Sequence, residues 1–325
     1  MNLDLIDRKL LYHLDQNARQ SISQLSKKVR INKNVALYRI NKLKENGIIK
    51  GSFAEINNFL LGYNTFRLFI NLGNASQSKQ QQFIDHISKN NNITWFSRVI
   101  GRWDIDILFM TKNISKFEDF RKKLFLEFND IIENFEITIL SKIEYYPKNY
   151  LLKEPKASTK STILDVNSNS SYFPDAIDEK ILQHLTKDAS INIVDLSSRL
   201  KISINTLKKR IKNLENEKII LGYRLFIDPT QFGYEYYKFH FSIKHYNKKR
   251  LDFLKSWIAS QDYIIYIDRY IGGADFEIEL MFQKESEYLE FDKKFHEEFG
   301  EIVRDSYLLK FYDLKIFKYL PETNN

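Results

Sequence analysis

"NKNVALYRINKLKENGIIKG" occupies residues 32–51, and a relative of it, "SINTLKKRIKNLENEKIILG", occupies residues 203–222. The separation is 171 positions, and the same offset superposes far more of the chain. "DLIDRKLLYHL" from Asp4 aligns with "DAIDEKILQHL" from Asp175, so Asp7 meets Asp178 and His13 meets His184. Further along, Gly62-Tyr63 falls on Gly233-Tyr234, and Phe120 and Phe128 fall on Phe291 and Phe299. No gap is needed over about 145 positions, so the chain is a tandem duplication of one module.

The first third of each module has helical spacing. Ile6, Leu10, Leu11 and Leu14 recur on one stripe, as do Ile177, Ile181, Leu182 and Leu185. Ser21 followed by Gln24 predicts a capping box that opens a second helix, which buries Leu25 and Val29 in one copy and Leu196 and Leu200 in the other. After a short break, Asn32 or Ser203 is placed to cap a third helix, which buries Ala36, Ile40 and Leu43, or Leu207, Ile211 and Leu214. Two short helices, a tight break and a third amphipathic helix make a helix-turn-helix.

The outward side of that third helix offers Asn34, Tyr38, Asn41 and Lys42 in the first copy, and Asn205, Thr206, Lys208, Lys209 and Lys212 in the second. Amides, hydroxyls and ammonium groups suit base edges and phosphates in a major groove. A solvated face with intrahelical ion pairs is the competing reading, but only Glu45 and Glu215 lie near enough to form them. Arg39 and Arg210 join the DNA-contact candidates, and two roles stay open for them: reaching phosphate or bracing the fold. The exposed Val35 and Leu37 make the first helix less polar than the second.

Beyond the helical unit the period changes to two. In "ADFEIELMF", Phe276, Ile278, Leu280 and Phe282 share one face, and Glu277 and Glu279 the other, which predicts a half-buried strand. Its counterpart holds Ile105, Ile107 and Phe109. A second alternating run passes through Phe135, Ile137, Ile139, Ile143 and Tyr145. A helix with Phe117, Phe120, Leu124 and Phe128 lies between the two strands, and an earlier helix carries Phe83 and Ile87. With a strand near 63–72, the order is β-α-β-β-α-β. The fold expected is α+β: two copies of a helix-turn-helix domain, each followed by a ferredoxin-like domain. The boundaries are 1–52 and 53–151 for the first copy, 175–223 and 224–325 for the second. Residues 152–174, rich in Ser, Thr, Asn and Lys, read as a linker of roughly 25–29 Å reach as a flexible coil.

Net charge is +8, unevenly spread: residues 1–51 carry 11 Lys+Arg against 4 Asp+Glu, and residues 175–222 carry 9 against 7. A concentrated positive field suits a polyanionic partner. With no cysteine, disulfides and thiolate metal sites are excluded, and no metal or cofactor is expected. No apolar run approaches a membrane span, and acids at Asp4 and Asp7 argue against a secretory signal, so a cytoplasmic protein is expected.

"IDEKILQHL", "RIKNLENEKIILGY" and the strand "YRLFIDPTQFGY" resemble the Lrp/AsnC family of transcription regulators in order and spacing, twice over. The first copy departs at Asn57-Asn58, where the second keeps Asp228-Pro229. The resemblance implies sequence-specific binding of double-stranded DNA, sheet domains that dimerise face to face, and a small effector, commonly an amino acid. The family's glycine-containing hairpin matches "RVIGRWD" and "RYIGGAD", which makes Arg98, Gly101, Asp104, Arg269, Gly272 and Asp275 effector-site candidates. A purely structural hairpin turn is the other reading of those residues. Trp103 against Ala274 shows that the two loops differ.

Half-sites for paired heads lie about 34 Å apart on DNA, and covalent linkage makes the second contact intramolecular. One chain is therefore expected to act as an intramolecular pseudo-dimer, with a homodimer of chains as the alternative. Some relatives of this fold are sirohaem decarboxylases, so a tetrapyrrole enzyme is a rival function, and a DNA-silent sensor or partner protein is another. The six histidines, His13, His86, His184, His240, His245 and His296, form no recognised metal spacing, and no catalytic constellation stands out.

Overall fold

Side-chain caps fix where each helix of the reading heads begins. The computed structural model describes residues 3–152, 161–169 and 172–322. Its first copy opens with α1 (Leu5–Gln16), α2 (Ile22–Val29) and α3 (Lys33–Glu45). Asp4 accepts from the Asp7 amide, Ser21 and Gln24 form the expected capping box, and Asn32 accepts from the Asn34 amide. The chain then runs through β1 (Ile49–Ile56), β2 (Asn64–Leu72), α4 (Gln77–Ser88), β3 (Ile93–Gly101), β4 (Ile105–Thr111), α5 (Ile114–Glu127) and β5 (Ile132–Tyr145).

A short strand, β6 (Thr162–Asp165), lies between the copies. The second copy repeats the order: α6 (Ala176–Lys187), α7 (Ile193–Leu200), α8 (Ile204–Asn216), β7 (Ile220–Ile227), β8 (Glu235–Ile243), α9 (Lys248–Ala259), β9 (Ile264–Ile271), β10 (Phe276–Phe282), α10 (Glu285–Phe299) and β11 (Val303–Phe317). Ser203 caps α8 as expected, through the Thr206 amide.

Within the copies the strands lie in the orders β5-β2-β4-β3 and β11-β8-β10-β9. The two sheets are also joined at both edges. β3 pairs with β11 from Gly101↔Leu309 to Trp95↔Phe317, and β5 pairs with β9 from Ile139↔Ile271 to Tyr145↔Tyr266. Eight strands thereby close into a barrel, with the helices outside. This corrects the expectation of two separate sheets packed face to face, and it follows from the need of edge strands for partners.

It also corrects the reading of β10 as half buried. Every residue of β10 is buried, because its carboxylate face turns into the barrel while Phe276, Ile278, Leu280 and Phe282 pack beneath the second copy's helices.

The heads are held by a second, two-stranded sheet in which β1 pairs with β7, Ser52 opposite Leu225 and Ala54 opposite Tyr223. The packing is crossed, with α1 on β7 and α6 on β1. The Ala18 amide donates to the Tyr223 carbonyl at 2.9 Å, and the Ala189 amide donates to the Ser52 carbonyl at 3.0 Å. The first head's core of Leu10, Leu14, Leu25 and Leu43 runs into Leu225, Phe232, Ile265 and Met281 of the second copy. The second head's core runs into Ala54, Ile56 and Met110 of the first.

Each head thus rides on the other copy's sheet domain, and this interlock, not the reach of a coil, sets where the heads stand. Part of the expected linker is the ordered strand β6, which pairs with the end of β5, Thr162 opposite Tyr145. Residues 153–160 and 170–171 of that linker lie outside the described residues.

The interlock is lopsided. On one side Arg224 Nε donates to Glu55 Oε2 at 3.0 Å, and Asp15 is held by Lys148 Nζ at 2.6 Å and by the Leu225 amide at 3.3 Å. At the positions 171 residues away stand Phe53, Phe226, Thr186 and Tyr319. There Phe53 stacks on Tyr319 at 4.2 Å and Phe226 on Phe317 at 5.0 Å. Pairing two first copies would bury Glu55 with no Arg224, and pairing two second copies would bury Arg224 with no Glu55. Uncompensated buried charge is strongly unfavourable, so the unlike copies match and the like ones do not. Arg224→Leu should cost about 3–5 kcal/mol in urea unfolding, with much of it recovered in Glu55→Leu/Arg224→Leu, which leaves no orphaned charge.

Candidate nucleic-acid interface

Helix α3 turns Ala36, Ile40 and Leu43 inward, and α8 turns Leu207, Ile211 and Leu214 inward. That registration leaves Asn34, Tyr38, Asn41 and Lys42 exposed on one head, and Asn205, Thr206, Lys208, Lys209 and Lys212 exposed on the other. Tyr38 is 65% exposed, unusual for a ring without a partner to cover it. The sole acid of α8, Glu215, accepts the Tyr223 hydroxyl at 2.6 Å and points back toward β7. The break before each third helix is made at Arg30 and Lys201, equivalent residues with φ of 60° and 54°. Their left-handed backbone swings the third helix across the second without a glycine.

Arg39 and Arg210 are committed to the fold. Arg39 Nη1 donates to Asp4 at 2.7 Å and to Asp7 at 2.9 Å. Arg210 Nη1 meets Asp175 at 2.9 Å and Asp178 at 3.0 Å. These bonds hold each guanidinium above its ordinary pKa and tie the third helix to the N-terminus of the first. Of the two roles open to these arginines, the structure places them in the bracing one.

The effector-site candidates lie on the barrel seams. Gly101 has φ of 139°, and a Cβ there would collide with the Leu308 carbonyl oxygen. Gly272 has φ of 87°. Asp104 accepts the Leu72 amide at 2.8 Å, and Asp275 accepts the equivalent Ile243 amide at 2.7 Å. Arg98 stands opposite Asp313 with its guanidinium 5.3 Å from the Tyr312 ring, and Arg269 stands opposite Lys142 with its guanidinium 4.5 Å from Phe276. These contacts shape the hairpins and join the halves. Trp103, the residue that distinguishes the two loops, is buried against Phe69, Val99, Leu309 and Phe311 inside the barrel.

The sequence reading missed the most unusual site in the chain, the charged barrel interior. Arg67 makes two bonds to Asp106, at 2.8 and 3.0 Å, and a further one to Glu277. Lys238 Nζ lies 2.9 Å from Asp268, 3.2 Å from Glu277 and 3.0 Å from Glu279. All six are buried. Burial disfavours charge on Arg67 and Lys238, but the surrounding carboxylates outweigh it and hold both pKa values well up. Burial raises Asp106, Asp268 and Glu279 despite their cationic neighbours. His240 is pushed well down by burial, then by Lys238 and Arg67, and stays neutral.

A signal was available: Arg67 and Lys238 are equivalent, as are Asp106 and Glu277, so each copy carries a cation and an acid on adjacent strands. Among the described residues no group of His, Cys, Asp and Glu is arranged to hold a metal ion, and no helix is long and apolar enough to cross a membrane.

The winged helix-turn-helix DNA-binding family matches twice, over residues 3–50 and 174–220. An uncharacterised HTH-type transcriptional regulator of Pyrococcus abyssi is 35% identical over 108 residues, 32% of this chain and 69% of the relative. The leucine-responsive regulatory protein of Rhizobium meliloti is 29% identical over 118 residues, 36% of this chain and 76% of the relative. Such relatives correspond to one copy. Over both copies, the crystal structure of the siroheme decarboxylase NirDL superposes with a TM-score of 0.63 at 13% identity, covering 99% of this chain and 95% of that one. At that identity the likeness is one of fold alone. Two helix-turn-helix units at the expected positions, together with regulator relatives of one copy's length, lead to one assignment: the chain belongs to the Lrp/AsnC family of helix-turn-helix transcriptional regulators, with two of that family's modules in a single polypeptide.

Proposed function

We propose that this chain is a sequence-specific DNA-binding regulator in which one polypeptide supplies both reading heads of a pseudo-dimer, each carried before a ferredoxin-like domain. The observation that carries the reading is the exposure of both third helices, polar and basic on their outer sides, on heads locked together by β1 and β7. Lys42, Lys208, Lys209 and Lys212 serve as phosphate contacts, and Asn34, Tyr38, Asn41, Asn205 and Thr206 as groove contacts. The heads differ in charge and in their outward residues, so the reading includes unlike half-sites. Such a protein works where the DNA is, in the cytoplasm of a bacterium or archaeon. Control by a small effector belongs to the proposal: Gly101, Gly272, Asp104 and Asp275 shape the hairpins, and Arg98 and Arg269 are the candidates there for meeting it.

Catalysis is not part of this reading. A tetrapyrrole enzyme needs room for a large polycarboxylate. The barrel holds a cavity of about 150 Å³, smaller than the ~300–1,000 Å³ of ordinary ligand pockets. A DNA-silent sensor is disfavoured by the same exposed basic faces.

Affinity measured against salt tests the proposal. Lys208→Ala/Lys209→Ala should weaken operator binding and flatten the log–log salt slope by about 2, while unchanged binding would remove both lysines from the interface. Arg39→Ala should behave oppositely, lowering thermal stability by about 1 kcal/mol with little change in that slope. Light scattering on the operator-competent species should give one chain, near 38.9 kDa, and an obligate assembly of two chains would replace the pseudo-dimer. Recovery of bound fragments from genomic DNA would supply the operator and its half-site spacing.

A further inference from the structure

The barrel interior is not electrically balanced. Arg67 with Asp106 and Lys238 with Glu277 form a quartet related by the duplication, two cations against two carboxylates. The second copy then adds Asp268 and Glu279, where the first copy has Ser97 and Leu108. Both extra acids are buried, at 5% and 9% exposure, and both line the cavity of about 150 Å³. His240 does not make up the difference. It is fully buried, its Nδ1 lies 3.6 Å from Glu277, and neither ring nitrogen has a hydrogen-bond partner among the described residues. Four carboxylates therefore face two permanent cations in a region of low dielectric, which draws positive charge in from outside.

The cavity's other walls say what form that charge takes. Tyr236, Tyr266, Tyr270 and Trp95 line it with the two acids, and Arg67 and Lys318 also stand in its wall. Rings beside carboxylates suit an organic ammonium group, which gains from both the ring faces and the ion pair. A cavity of this size elsewhere accommodates benzene, so the occupant has roughly six non-hydrogen atoms. A zwitterion fits poorly, because Arg67 is already held by Asp106 and Glu277, Lys238 by three carboxylates, and Lys318, the other cation in the wall, by Glu322 at 3.4 Å, leaving no free cation among the described residues for a second carboxylate. We infer that the barrel interior is a binding site for a small alkylammonium cation, built from Asp268 and Glu279 of the second copy and the aromatic side chains around them. The site is separate from the DNA-reading helices, and its test does not involve DNA.

The probes are n-butylammonium chloride, n-butanol of equal length, and alanine as the zwitterion. Titrated into the full chain and followed by thermal shift and tryptophan fluorescence, n-butylammonium should saturate and stabilise the fold, at least about tenfold more tightly than either control. Asp268→Ser/Glu279→Leu places the first copy's residues at both positions and removes the excess charge. That variant should melt higher than the parent without ligand and bind n-butylammonium at least about tenfold more weakly. The inference is overturned by equal binding of the alcohol and the amine, by tighter binding of alanine, by unchanged amine affinity in the double variant, or by no saturable binding of the amine. The last result would mean that protons on the buried acids complete the charge balance alone.

Discussion

Neither half of this chain can satisfy the edges of its own sheet. Each four-stranded sheet ends in strands whose backbone groups need partners, and the other half supplies complementary edges at both seams. Closing both seams produces the barrel, and with it an interior in which the inward-facing charges are buried. The charges inside follow from that closure: in an open sheet Glu277 and Glu279 would face solvent, whereas here they must be paired. Closure also fixes the glycine hairpins, since Gly101 lies where the Leu308 carbonyl leaves no room for a side chain.

The reading heads repeat the same dependence at a smaller scale. Strands β1 and β7 are too few to stand alone, and each becomes stable by pairing with the other and accepting a helix from the opposite copy. Each head's core continues into the other copy's sheet domain, so a head and the sheet across from it share one packed core. The end of β1 at Ile56, with Asn58 just beyond it, forms part of the barrel cavity's wall, so the interior and the second head share Ile56.

The helices of the heads were legible in the sequence because local chemistry decides them. Ser21 with Gln24, Asn32 and Ser203 cap where their side chains say they should, and the apolar stripes face inward. The order β-α-β-β-α-β was legible from periodicity for the same reason. What stayed hidden depends on contacts between distant segments. Alternation in β10 gives the same pattern whether its polar face meets water or a closed interior, so Glu277 and Glu279 read as exposed. Arg39 carries no mark of its partners, which lie 35 and 32 residues away. A serine-rich and asparagine-rich stretch gave no warning of β6, whose Ile163 and Leu164 acquire a strand conformation by borrowing the free edge of β5.

The lopsided interlock has a consequence for how this molecule could change over time. In an assembly of identical subunits, any mutation beside the symmetry axis appears on both sides of it at once, so a buried charge arrives with its own double. Two copies within one chain are free of that constraint. Glu55 could meet Arg224 while the mirrored place filled with aromatic rings, and Asp268 and Glu279 could enter the barrel without a second pair opposite them. Once such unlike surfaces had formed, the halves could no longer be exchanged, and the fused chain could not revert to two free and equal partners.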